Sequence, residues 1–374
     1  MFLGTLSLQQ RTTRVSCVAI LAAILMTACS SSANRPEKAI ANTVVAATDD
    51  HIAITGRVER LSEGALRFAF PGVSLKFNFS GNSLHLFASS SSGNTYLDVM
   101  VDGKPHLVQI PETPTRIEIF SAAKNSKHHI EIINRSETWH GITTLASIEL
   151  GQGQLLAKPS LSSRKILVIG DSITCGEAIE PPKTCGTKEN SWWNPRLSYG
   201  MLLAAEVDAQ VHMVCMGGRG LIRNWNGTTT DENAPEFYDL AIVDGSNSVA
   251  WPQKNYNPDL VYIALGTNDF SSHAGPMPSE KQYVLPYVDF VNKILSDHPN
   301  AQVVLTEGPM LGGEEKPTLV DYLEKTKIRV GSDQVHVLEA TRYPGGPCDF
   351  HPGKAEHAAM AADIIPPIKH IMGW

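Results

Sequence analysis

The stretch Ile166-Leu167-Val168-Ile169-Gly170-Asp171-Ser172-Ile173-Thr174 decides how this chain of 374 residues is read. Four apolar residues bounded by a glycine have the composition of a central parallel strand, buried on both faces. Ligands in open α/β sheets bind outside the carboxyl ends of the strands, which is where Ser172 falls. A serine there acts as a nucleophile only when a base and an oxyanion hole converge on it. Gly-Asp-Ser alone settles nothing, because turns are rich in these residue types.

Two further apolar runs, Val211-His212-Met213-Val214-Cys215 and Leu260-Val261-Tyr262-Ile263-Ala264-Leu265, also end in glycine-containing polar blocks. These blocks are Met216-Gly217-Gly218-Arg219-Gly220 and Gly266-Thr267-Asn268-Asp269, and a fourth is Cys348-Asp349-Phe350-His351-Pro352. The first two land on the same sheet edge as Ser172. In order and type, the four blocks resemble the SGNH (GDSL-type) hydrolase superfamily. The resemblance implies that Ser172 is the nucleophile and His351 the base. It also implies an oxyanion hole built from the Ser172 and Gly218 backbone N–H groups and the Asn268 side chain, with Gly217 a neighbouring candidate for the glycine role.

Such enzymes mostly carry an aspartate three residues before the histidine. Here that position is Cys348, and Asp349 stands two before His351. Asp349 is expected to orient the imidazole through Nδ1, because an ionised partner also stabilises the imidazolium. The alternative is a backbone carbonyl in that role, which leaves a Ser-His dyad. Asp171 and Asp269 read as loop-fixing residues, and His357 as structural.

Around the serine, strands alternate with helical patterns, as βαβ units require. Strands are expected at 166–169, 211–215, 260–265, 303–306 and 335–338, with helices at 197–207, 283–295, 319–328 and 355–365. A five-stranded flavodoxin-like parallel sheet accounts for all of them. Between residues 57 and 150 the period is instead two. Val73, Leu75, Phe77 and Phe79 alternate with Ser74, Lys76, Asn78 and Ser80, and Asp102-Gly103 signals a hairpin. Several such strands indicate an antiparallel, jelly-roll-like β-sandwich.

This layout is similar to carbohydrate esterase family 2, whose members join a β-sandwich to an SGNH domain. The similarity runs from about residue 55 to the C-terminus. It is carried by Asn134-Arg135-Ser136-Glu137, Gly218-Arg219-Gly220-Leu221 with Asn224, and Cys348-Asp349-Phe350-His351-Pro352 with His357. It implies removal of acetyl groups from polysaccharides such as xylan and glucomannan. Trp192, Trp193 and Trp225 fall in loops after strand ends, where indoles either stack on sugar or pack the loops. Trp225 and Arg219 are the candidate substrate contacts, although arginines such as Arg219 and Arg223 often only tie backbone carbonyls. Two other readings keep much of this pattern: an esterase or lipase acting on a different envelope acyl ester, and a non-catalytic carbohydrate-binding lipoprotein.

The N-terminus has Arg11 and Arg14, an apolar run from Val15 to Met26, and then Thr27-Ala28-Cys29. The run is too short to span a bilayer and reads as a signal-peptide core. Met26-Thr27-Ala28-Cys29 resembles a bacterial lipobox, which implies lipidation of Cys29 and, with Ser30 following, anchoring to the outer membrane. The alternative is a periplasmic or secreted product. The expected division is a signal peptide over 1–28, lipidated N-terminus and tether over 29–50, sandwich over 51–156 and catalytic domain over 163–374.

Cleavage before Cys29 leaves 29 basic against 38 acidic residues, a net charge of −9. No basic tract survives, which argues against nucleic acid as a partner. In an oxidising compartment Cys175 and Cys185, which bracket a short loop after the nucleophile, are expected to pair. Cys215 and Cys348 either pair with each other or stay as buried thiols. No cysteine or histidine group has zinc-site spacing, so the reading calls for no metal and no cofactor.

Overall fold

The computed structural model describes Met1 and residues 42–374. The expected signal peptide and lipidated Cys29 lie outside the described residues.

The N-terminal part is built on two long antiparallel strands, Ser74–Ser90 and Thr115–Asn134, paired from Ser74 opposite Ile133 to Ala88 opposite Thr115. Alternation buries Leu75, Phe77 and Phe79 on one face. A register irregularity between Gly81 and Ser83 changes the parity, so that Leu84, Leu86 and Ala88 join the same buried cluster. The hairpin Thr95–Val101/Lys104–Ile110 turns at Asp102-Gly103, with φ of 50° and 81° as a type I′ turn requires. One expectation is corrected at the start of the fold. Thr43–Ala46, assigned from its sequence to a flexible tether, is a strand paired antiparallel with Thr143–Gly151. A four-residue edge strand is too short to show a period, and its pairing is set by the strand beside it.

The C-terminal part carries the parallel sheet: β1 (Arg164–Gly170), β2 (Ala209–Cys215), β3 (Leu260–Ala264), β4 (Gln302–Thr306) and β5 (Val335–Val337). Its order is β2-β1-β3-β4-β5, the flavodoxin-like arrangement expected. Strand β1 shows why the run is wholly apolar. Ile166 and Val168 face a cluster with the helices Tyr199–Glu206 and Lys354–Met372. Leu167 and Ile169 join the other cluster, with the helices Glu280–Asp297 and Glu315–Val330. The last helix runs through Pro366-Pro367, where sequence rules stop it, because Ile368 is buried against the sheet and Trp374 lies over Arg164. The topological switch falls at β1, so the crevice opens beside Ser172.

The two parts share one buried cluster, which joins Leu66, Phe68 and Phe70 to Leu167, Ile169 and Phe237. Arg57 of the sandwich reaches into the catalytic part. Its guanidinium donates to the Tyr238 carbonyl at 2.5 Å and the Leu240 carbonyl at 2.7 Å, and lies 5.5 Å from the Trp251 ring centre.

Candidate active site

Ser172 is the first residue of a one-turn helix, Ser172–Cys175, that follows β1 directly. Asp171 caps this helix, its Oδ1 accepting the Ile173 N–H at 3.0 Å. The first N–H groups of a helix have no intrahelical acceptor, which leaves the Ser172 N–H free to face a ligand. Among the described residues, neither the Ser172 nor the Gly218 N–H has a backbone acceptor. Gly217 is different, since its N–H donates to Glu137 Oε2 at 2.5 Å. Of the two candidate glycines, Gly218 therefore has the available donor. Gly218 has φ of 74°, and a Cβ there would lie 2.9 Å from Trp225 Cδ1, so both backbone and space call for glycine.

His351 Nε2 is 2.9 Å from Ser172 Oγ, and its Nδ1 is 2.8 Å from Asp349 Oδ2. The Asp349 carbonyl is also near Nδ1, at 3.2 Å. Both alternatives from the sequence thus converge on one nitrogen, with the carboxylate the shorter contact. An ionised carboxylate only accepts, so Nδ1 carries the proton and Nε2 is left to accept from the serine. The two-residue spacing works because Phe350, between them, has φ of 60°. That left-handed step folds the Asp349 side chain back onto the ring, a strained conformation of the kind found at active sites. Burial disfavours the charged imidazole, but the Asp349 hydrogen bond and the Glu177 charge outweigh it and raise the His351 pKa.

Two groups at this site carry no signal in the sequence. Glu177 Oε2 is 3.8 Å from His351 Nε2. Lys188 bonds to Glu177 and lies 2.9 Å from Asp349 Oδ2. Glu177, Asp349 and His351 are close enough to hold a cation. The Lys188 ammonium already bridges the two carboxylates, and Nε2 faces the serine, so the donor set reads as an ion-pair network.

The expected Cys175–Cys185 bridge is not formed. Cys175 pairs with Cys215, and Cys185 with Cys348, with Cα–Cα distances of 5.7 and 5.1 Å. Parallel pairing of β1 with β2 sets Gly170 beside Cys215, and one helical turn brings Cys175 over it. The exposed Cys185 is left to tether the loop that carries Asp349 and His351. Sequence proximity favoured the local pair, but sheet register decided otherwise.

Asn268 Nδ2 donates to the Arg219 carbonyl at 2.8 Å and has a longer 3.4 Å contact with Asp171 Oδ2. One amide hydrogen is thus well held, while the other remains weakly engaged at the cleft. Asp269 fixes the loop after Gly218 by accepting the Leu221, Ile222 and Arg223 N–H groups at 2.9, 2.8 and 3.3 Å. Burial raises the pKa of Asp269 to about 6 against those donors, and that of Asp171 likewise to about 6. Both are positioned as loop anchors. Arg223 ties the Asp269, Ala274 and Pro276 carbonyls. Arg219 pairs with Asp231 at 2.8 Å and lies along the cleft. His357 accepts the Tyr199 N–H, and burial depresses its pKa to about 3, as suits a structural group.

The site opens into a cleft of about 530 Å³ that Trp225, 49% exposed, lines from the catalytic part. Trp192 and Trp193 are buried in loop packing. The indole that sequence reasoning missed is Trp139, 53% exposed and contributed by the sandwich. It lies two residues beyond the Asn134–Glu137 block, where its only signal was proximity to that block. A more enclosed space of about 110 Å³ behind Asp171 includes neither Ser172 nor His351, so the chemistry belongs to the open cleft.

The doubly wound sheet, with serine, histidine and carboxylate in hydrogen-bonded succession at its carboxyl edge, defines an SGNH-type ester hydrolase. Residues 168–359 match the GDSL-like lipase/acylhydrolase family, and residues 54–159 match the carbohydrate esterase 2 N-terminal domain. The chain is 42% identical over 347 residues to an acetylxylan esterase/glucomannan deacetylase of Cellvibrio japonicus, covering 92% of this chain and 96% of that protein. The solved structure of a family two carbohydrate esterase from Cellvibrio japonicus superposes with a TM-score of 0.87 at 42% identity, covering 89% and 99% of the two chains. A Clostridium thermocellum family two esterase, solved in complex with cellohexaose, gives 0.80 at 27% identity, covering 86% and 99%. The chain belongs to carbohydrate esterase family 2.

Proposed function

We propose that this carbohydrate esterase removes O-acetyl groups from acetylated polysaccharide or oligosaccharide of xylan or glucomannan type, through an acyl-enzyme on Ser172. The observation that carries the reading is the Ser172 Oγ–His351 Nε2 distance of 2.9 Å at the floor of an open cleft. The relatives' activities support the substrate class, and the exposed indoles of Trp139 and Trp225 suit sugar rings. A neutral ester is also compatible with the acidic mature chain.

In this mechanism Ser172 Oγ attacks the acetyl carbonyl while His351 Nε2 takes its proton. Asp349 on Nδ1 and Glu177 beside Nε2 stabilise the imidazolium. The oxyanion is held by the Ser172 and Gly218 N–H groups and the Asn268 amide. His351 then gives the proton to the departing sugar oxygen, and water releases acetate by the reverse sequence of transfers.

Lipidation of Cys29 would place this activity at the outer membrane. Palmitate incorporation in wild type and its loss in Cys29→Ser would support that address, and a soluble, unlabelled product would refute it. The test of function is acetate release by the mature protein from acetylated xylan and glucomannan. Release abolished in Ser172→Ala supports the reading. Activity confined to small or long-chain esters would shift the substrate to another envelope acyl ester.

A further inference from the structure

Glu137 belongs to the sandwich, yet it is fully buried against the loop that carries the oxyanion glycine. Its carboxyl collects three donors from three places. Oε1 accepts the Trp193 indole N–H at 2.6 Å, and Oε2 accepts the Gly217 N–H at 2.5 Å and the Trp139 indole N–H at 3.1 Å. Its own N–H donates to His140 Nδ1 at 3.1 Å, which fixes the turn from which it projects. Tying one side chain to the residue before Gly218 constrains where the free Gly218 N–H points. Tying the same carboxyl to Trp139 sets one wall of the cleft.

We propose that Glu137 is a positioning residue for the esterase reaction: the sandwich completes the oxyanion hole by holding Gly217, and thereby Gly218, in the acceptor-facing conformation. This rests on the reading of Gly218 as an oxyanion donor. The sandwich is then part of the catalytic apparatus as well as a bracing or sugar-facing domain. Keeping a carboxyl in this place is costly, because burial and the nearby Glu177 both raise its pKa, and the three N–H donors only partly offset them. Preorganised donors matter most where charge develops in the transition state, so loss of the contact should appear in kcat more than in KM.

The test uses 4-nitrophenyl acetate, a minimal ester without sugar, with the full mature protein. Wild type, Glu137→Ala, the near-isosteric Glu137→Gln and Ser172→Ala are compared, and each melting temperature is measured alongside. Glutamine keeps the volume but presents an NH₂ where one of the two acceptor oxygens was. The expected result is a fall in kcat of about tenfold or more in Glu137→Gln, with KM within about twofold, at a temperature where the variant is fully folded. Glu137→Ala should lose at least as much. Wild-type kcat in folded Glu137→Gln would overturn the proposal, as would a loss that merely tracks the unfolded fraction. Should alanine prevent folding, the glutamine variant still decides. Activity retained in Ser172→Ala would sink the serine mechanism and this proposal with it. Activity lost in Ser172→Ala but unchanged in Glu137→Gln would sink this proposal alone.

Discussion

Asn268 is the one side chain among the three proposed oxyanion donors, and its Nδ2 also holds the Arg219 carbonyl at 2.8 Å. Loss of one such donor typically costs about 2.7–4 kcal/mol of barrier, and Asn268→Ala should therefore lose roughly 10²–10³ in kcat on an acetyl ester. Turnover close to wild type in that variant would exclude Asn268 from the oxyanion hole. Lys188 acts on the base instead. The charged and titratable groups around His351 are Asp349, Glu177, Lys188, Asp171 and His357. Their balance raises the histidine above its ordinary 6.5. A general base works only when unprotonated, so kcat/KM should fall as pH drops through a value above 6.5. Lys188 opposes the two carboxylates, and Lys188→Met leaves their charge less compensated. The acid limb of the kcat/KM profile should then move to higher pH, and an unmoved or lowered limb would contradict this role.

The segment that carries Asp349 and His351 has little regular structure of its own. It follows β5, ends at the helix Lys354–Met372, and includes a left-handed Phe350. Besides its own turn hydrogen bonds, the Cys185–Cys348 bridge ties it covalently, three residues from Lys188 on one side and adjacent to Asp349 on the other. The double variant Cys185→Ser/Cys348→Ser should therefore lose activity on acetyl ester, by roughly tenfold through misplacement of the base. It should also lose stability, by about 2–5 kcal/mol in urea unfolding, because the bridge closes a long loop. Stability lost with kcat preserved would mean that the tether braces the fold without aligning the site. The Cys175–Cys215 bridge is fully buried, and its place at the ends of β1 and β2 marks it as a clamp on the nucleophile turn.

The molecule from residue 42 onward is held as one unit by a core that runs through both parts. Arg57 is the polar counterpart of that continuity. Burial lowers its pKa to about 9, and it donates to two carbonyls of the catalytic part, those of Tyr238, which Gln253 also serves, and Leu240. Arg57→Ala would leave both carbonyls without this donor and remove the stacking on Tyr238 and Trp251. A loss of about 2–4 kcal/mol in urea unfolding is expected, with kcat unchanged, since Arg57 lies outside the cleft. A large kcat loss at full folding would show instead that interface packing reaches the site. Glu137 makes the same junction on the cleft side, where the consequence is catalytic.

Local pattern was enough to reveal the parallel strands, the period-two sandwich, the Asp102-Gly103 hairpin and the four blocks bearing Ser172, Gly218, Asn268 and His351. The strands, the sandwich and the hairpin follow from periodicity and turn chemistry, while the roles of the four blocks are what their resemblance to SGNH hydrolases implies. The disulfide partners, Glu177, Lys188, Glu137 and Trp139 were not legible in that way. Cys185 meets Cys348 across a separation of 163 residues, and Glu137 meets Gly217 across 80. Such pairs are chosen by sheet register and domain packing, and no local signal encodes which of several equivalent side chains will arrive. The sequence by itself therefore determined the fold class and the candidate reacting groups. Only the tertiary structure decided what surrounds them, because burial, counter-charge and alignment arise from contacts between distant segments.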